Sequence, residues 1–111
     1  MRFDSTVGKF PGYVILPDFL NLPQVRKFED ALIATQEIYG SEKTSTYGIL
    51  DEKQLPAILE CVVEWHIEGI PDKPNEVTFP LTPKKAASEL VRLIFSRLLD
   101  IYTGEIEIPN G

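Results

Sequence analysis

Apolar side chains recur at helical spacing in three stretches of the chain, over 22–39, 56–68 and 83–103, and these stretches predict its principal helices. In the first, Leu22, Val25, Phe28, Leu32 and Ile38 fall near one face, while Arg26, Lys27, Glu29, Asp30 and Glu37 are mostly directed to water. Asn21-Leu22-Pro23 reads as its start, because proline is tolerated in a first turn, and Gly40 reads as its stop. The second helix is held to begin at Pro56, since a proline further inside would remove a hydrogen bond and clash. Asp51 to Gln54 is then a separate turn, and Gly69 ends the helix after Glu68. The third opens on Thr82 as N-cap with Pro83 in the first helical position. Ala87, Leu90, Val91, Ile94, Phe95, Leu98 and Ile101 follow at helical spacing to about Tyr102.

The segments between these runs are short and punctuated. Gly12-Tyr13-Val14-Ile15-Leu16 is aromatic and β-branched and lies between Pro11 and Pro17, which predicts a short strand with an edge position. Residues 1–9 have no clear period and form an arm to be ordered by a partner or a neighbouring strand. Ser41 to Thr46 is a polar loop, and Tyr47 to Leu50 is either a short extended piece or a turn. Pro71, Pro74, Pro80 and Pro83 make the stretch after Gly69 a stiff, extended link with Val77-Thr78-Phe79 as its one strand-like piece. The tail 105–111 alternates over Glu105 to Ile108, as an edge strand or a frayed end. The expected fold is mainly α: three principal helices in a small bundle with short peripheral β-strands, a single domain over 1–111.

Composition narrows the classes of function. With 111 residues, 43% hydrophobic and 25% charged, the chain suits one small core. A formal charge of −6, with Arg26-Lys27 and Lys84-Lys85 as the basic doublets, argues against direct nucleic-acid binding, which needs clustered Lys and Arg. One cysteine precludes an internal disulfide, and neither a signal peptide nor an apolar run of about 18 residues is present, so a reducing cytoplasm and no membrane are expected.

Reactive chemistry is sparse. Glu60, Glu64 and Glu68 would line one helical face at i, i+4 and i+8, but carboxylate metal sites of helical bundles add Glu-x-x-His elements, and this chain has one histidine; a solvated face is the expectation. His66 lies two residues from Glu64 and from Glu68, about 200° around a helix, so neither would share its face. Cys61 is five residues from His66, roughly 140° around, and is read as a buried, inert thiol. The chain lacks G-x-S-x-G, H-E-x-x-H and a glycine-rich phosphate loop. No catalytic residue, metal or cofactor is assigned, and an enzyme is the least favoured class.

Binding is favoured by the third helix. Ala86, Ala87, Leu90, Val91, Leu93, Ile94, Phe95, Leu98, Leu99 and Ile101 cover more than one stripe, which leaves two readings: a face that meets another chain, or the central helix of the core. The first assigns a partner-binding face to Leu90, Ile94, Phe95, Leu98 and Ile101 together with Trp65, the lone tryptophan, suited to a partner's amphipathic helix or to self-association.

A proline-bounded strand is followed by LNLPQVRKFEDAL, then by LPAILECVVEWHIEGIP, then by FPLTPKKAASELVRLIFSRLLDIYTG. In this order, with Trp65 near the end of the middle helix and the F-P-x-T-P element at Phe79 to Pro83, the stretch from Pro11 to Gly104 resembles the small tail assembly proteins of long-tailed bacteriophages and prophages. The resemblance implies a non-catalytic tail assembly chaperone that coats the helical tape measure protein until tail-tube subunits polymerise round it, in the host bacterial cytoplasm. Related proteins of similar size stay in the virion as minor tail or connector subunits, and that alternative would pair Gly12 to Leu16 and Glu105 to Ile108 with other copies. A small acidic inhibitor of a host nucleic-acid-binding protein is a third reading, favoured least of the three because eleven basic residues are mixed among seventeen acidic ones.

Overall fold

The computed structural model describes residues 1–40 and 47–104. The elements run β1 (Arg2–Asp4), β2 (Gly12–Ile15), α1 (Leu22–Gly40), α2 (Tyr47–Cys61), β3 (Glu64–Ile67) and α3 (Lys84–Thr103). The fold is mainly helical, three helices beside a small antiparallel sheet of order β1-β2-β3. The polar loop expected over 41–46 and the tail over 105–111 lie outside the described residues.

The N-terminal arm is ordered by its neighbour. β1 pairs antiparallel with β2, setting Phe3 opposite Val14, and the Ser5 N–H donates to Gly12 O at 2.8 Å. Val7 and Phe10 are buried, so the arm belongs to the core. β2 is therefore the central strand, contrary to the edge position expected from its prolines. Pro11 and Pro17 flank the paired residues without occupying them, and the Pro11 carbonyl accepts the Glu68 N–H at 2.9 Å. Phe3, Val14 and Trp65 form one cross-strand row on the inner face.

α1 begins with a reciprocal cap. Asn21 Oδ1 accepts the Gln24 N–H at 3.0 Å, and Gln24 Oε1 accepts the Asn21 N–H at 2.9 Å, so two first-turn donors that a helix cannot satisfy itself are both bonded. Phe28 is its core anchor, with its ring stacked on Phe95 of α3 at 5.0 Å and 4.9 Å from Tyr102.

The middle of the chain departs furthest from expectation. α2 starts at Tyr47 and carries Pro56 inside it, so 47–50 and Asp51 to Gln54 are helical. The Pro56 ring removes one backbone donor, a defect of about 3 kcal/mol. Leu55, Ala57, Ile58 and Cys61 are buried on either side of it, and their packing holds the helix continuous. α2 then stops at Cys61, well short of Glu68, and the Val63 N–H donates to Ile15 O at 2.9 Å as the strand β3 starts. From Glu64 to Ile67 exposure alternates residue by residue, the signature of a strand with one face buried. Gly69, expected to end a helix, takes φ 88° in the turn after β3, where the Ile70 N–H meets Ile67 O at 3.1 Å.

In the link, Val77-Thr78-Phe79 is a turn, not an extended piece. Asn75 Oδ1 accepts the N–H groups of Val77 and Thr78 at 2.8 and 3.0 Å, and Thr78 Oγ1 accepts the Asn75 N–H at 2.9 Å. This fixes Phe79 against Trp65, ring centroids 5.7 Å apart. At the start of α3 the N-cap is Pro83, without a side-chain cap, so Thr82 does not fill that role; the Pro83 carbonyl accepts the Ala87 N–H at 2.9 Å. Gly104 closes α3 in the left-handed conformation, its N–H on Asp100 O at 3.0 Å.

Candidate functional site

The residues expected to bind a partner lie mostly inside the chain's own core. Leu90, Ile94 and Leu98 are fully buried, Phe95 and Trp65 nearly so, and Ile101 is partly buried against them. The wide apolar surface of α3 is used up by several neighbours: α2 packs along it, Phe28 of α1 stacks on Phe95, and Phe3 of β1 comes under Arg97, whose guanidinium lies 5.6 Å from the ring centroid. Of the two readings of this helix, its placement is that of the central core helix. Trp65 sits on β3, not on a helix, with its buried ring turned inward beside Phe79.

The apolar side chains left in solvent belong to other elements. Leu22 is 61% exposed, Ile33 55% and Leu81 41%, with Phe19, Val63, Val77 and Tyr102 also exposed. Leu22, placed by periodicity with the buried face of α1, is at that face's outer margin and turned to water. A groove of about 580 Å³ runs between α1, α2 and the link. Ala31 and Ala34 of α1, Leu55 and Pro56 of α2, and Leu81 of the link give it apolar walls. Lys27, Asp30, Glu52, Lys53 and Glu76 supply charges of both signs. Pro56 lines this open wall together with Glu52, the residue whose carbonyl the missing N–H would have met.

Behind this groove is a polar contact with no pattern in the sequence to announce it. Thr35 Oγ1 donates to Ala31 O at 2.8 Å and accepts from Gln54 Nε2 at 3.2 Å, tying α1 to α2. Gln54 is buried, and its Oε1 has no hydrogen-bond partner among the described residues.

The chemically suggestive side chains are dispersed. Glu60 is on α2 while Glu64 is on β3 and Glu68 follows it, so the expected carboxylate row does not exist as one helical face. The strand instead places Glu64 and His66 on a common solvent face, which helical geometry would have forbidden. There His66 Nδ1 lies 3.2 Å from Asp72 Oδ1, and the ring meets the edge of Tyr13 at 5.5 Å. Arg2 covers the Tyr13 ring at 3.9 Å and approaches Asp4 at 3.8 Å, completing an exposed polar surface over the sheet. The Cys61 thiol is buried 3.9 Å from Gln24 O, and burial, with the neighbouring Glu60 charge, pushes its pKa up to about 11. A thiol held neutral there is a weak nucleophile.

Among the described residues, no three His, Cys, Asp or Glu side chains gather as a metal site, and no helix is long and apolar enough to cross a membrane. The chain matches no family model, no curated protein and no solved structure.

Proposed function

We propose that this chain is a non-catalytic binding protein that acts as a tail assembly chaperone of a long-tailed bacteriophage or prophage, holding an amphipathic segment of the tape measure protein before the tail tube polymerises. The observation that carries the binding reading is the groove between α1 and α2. Its apolar walls at Ala31, Ala34, Leu55, Pro56 and Leu81 are bordered by Lys27 and Lys53 on one hand and Asp30, Glu52 and Glu76 on the other. A partner helix with an apolar stripe and mixed charges beside it fits such a surface. The order of sequence features from Pro11 to Gly104 supplies the phage assignment. The buried, neutral Cys61 supports the absence of catalysis.

The test is co-expression with a helical tape measure segment, followed by mass determination of the purified material by light scattering. A soluble complex lost on Leu81→Asp, with the helical circular dichroism of the chain unchanged, supports the reading. A complex that survives Leu81→Asp removes the groove, and no complex at all with such segments removes the chaperone.

A virion subunit that assembles with its own copies is the second reading, favoured by the edge positions of β1 and β3. Pairing through Gly12 to Leu16 is no longer part of it, because β2 already has a neighbour on each side. Rings or tubes formed by the purified chain alone would move the assignment to that class.

A further inference from the structure

The water-facing side of α1 has a sequence that is complementary to itself. At 100° per residue, Leu22, Arg26, Glu29 and Ile33 lie within an arc of about 60°, spaced four, three and four residues apart like the inner positions of a coiled-coil seam. Leu22 and Ile33 are 61% and 55% exposed, apolar surface that burial against a second chain would remove from water. This arc is separate from the α1–α2 groove, whose α1 residues Ala31 and Ala34 are centred about 140° further round.

Two copies of α1 laid antiparallel, with a two-fold axis between Lys27 and Phe28, bring Leu22 opposite Ile33 and Arg26 opposite Glu29, and the symmetry repeats both pairings. Every apolar residue on the arc then meets an apolar one, and every charge meets its opposite. A parallel pairing would set Arg26 against Arg26 and Glu29 against Glu29. Arg26 is exposed and is in no ion pair within the chain among the described residues. Glu29 is held in place by the Tyr102 hydroxyl, which donates to its Oε2 at 2.7 Å. Beside it, Leu32, Ile33 and Tyr102 border a recess on the α1 surface, at the end of the arc where the second copy's Leu22 arrives.

We infer that the chain forms a two-fold symmetric dimer through this face of α1, with Leu22–Ile33 contacts at both ends and Arg26–Glu29 pairs between them. The contact closes on itself, so it yields dimers and not open polymers. It is independent of the proposed chaperone activity, and it leaves the groove open on each copy.

Sedimentation equilibrium over a wide concentration series tests it. The native chain is expected to pass reversibly from 12.5 kDa to twice that mass. Arg26→Glu makes the charged centre all acidic and Glu29→Arg makes it all basic, so each variant alone is expected to stay monomeric. Mixing the two restores the doubled mass, since each then offers what the other lacks. Leu22→Asp, at an exposed position, is expected to be folded by circular dichroism and monomeric. A native chain that is monomeric throughout, a variant Arg26→Glu that dimerises as the native chain does, a mixture that stays monomeric, or a mass beyond two chains would each overturn the inference.

Discussion

Gly12 on the central strand faces the backbone of His66 so closely that a Cβ would overlap the His66 carbonyl oxygen and stand 2.8 Å from Ile67 Cα. Its φ of 144° is also one that side-chain-bearing residues rarely adopt. Both obstacles are backbone, so rotating a side chain cannot relieve them. Gly12→Ala is expected to lower stability by roughly 3 kcal/mol, from strain and forced separation of β2 and β3. Urea denaturation checks this; a midpoint equal to that of the native chain would mean that the two strands can part without loss.

The inner stripe of α3 gives a second expectation. Ile94 is fully buried, so Ile94→Asp would place an unpaired carboxylate in the core, at a cost of about 4 kcal/mol or more, a large part of a small domain's total stability. It is expected to give unfolded or insoluble chain, and lost partner binding by that variant would carry no information about docking. Ile94→Val, which removes one methylene, is expected to cost about 1 kcal/mol and to stay folded. Leu81→Asp, at a position 41% exposed, is expected to change stability by no more than about 0.5 kcal/mol. Thermal melts of the three variants separate these cases.

The contrast shows what the sequence discloses and what it leaves to tertiary contacts. α1 and α3 were legible because Phe28 and Leu32, or Leu90, Ile94 and Leu98, repeat at helical spacing over a long stretch that ends at a glycine. The second helix was misplaced for two physical reasons. Pro56 is tolerated because its ring lines an open groove while its neighbours Leu55 and Ala57 are buried. The alternation of Glu64, Trp65, His66 and Ile67 was overshadowed by the apolar run before it, although pairing with β2 makes that alternation decisive. The residues expected to form the docking face, Trp65, Leu90, Ile94, Phe95 and Leu98, lie in the chain's own core. The apolar surplus of α3 meets intrachain neighbours far away in sequence, α2 along its length, Phe28 stacked on Phe95 and Phe3 beneath Arg97. The exposed Leu22 and Ile33 were hidden in the pattern because a few apolar residues on a charged face are ordinary at the sequence level.

Cys61 offers a test of burial that needs no partner. Its thiol is held neutral to about 11, against 9.0 for a free one, so at mildly alkaline pH the thiolate population is about a hundredfold lower than in the unfolded chain. Alkylation of the native protein is expected to be slower by at least that factor and to reach the unfolded rate in denaturant. Because the folded pKa is raised, the contribution to stability is complete below about 9 and is lost as pH rises through about 11. Over that interval the native chain is expected to lose more stability than Cys61→Ala, and equal losses would mean that the thiol is open to solvent.

The Tyr102–Glu29 hydrogen bond is the last expectation, because it joins the C-terminal turns of α3 to the exposed side of α1. The phenol donates at 2.7 Å to a carboxylate, an arrangement that ionisation of the phenol would destroy, and its pKa is raised accordingly: the hydrogen bond to Glu29 is the main cause, followed by desolvation and the Glu29 charge. The bond therefore favours the folded state below the ordinary phenol value, and that contribution disappears as pH rises through the higher folded value. In a spectrophotometric titration of the tyrosines, Tyr102→Phe is expected to remove a late-ionising component. Glu29→Gln is expected to move that component to lower pH while preserving the total number of phenols. If Glu29→Gln leaves the titration curve where it was, the two side chains are apart in solution, and Glu29 is then free to rotate away from the α1 seam it is placed to complete.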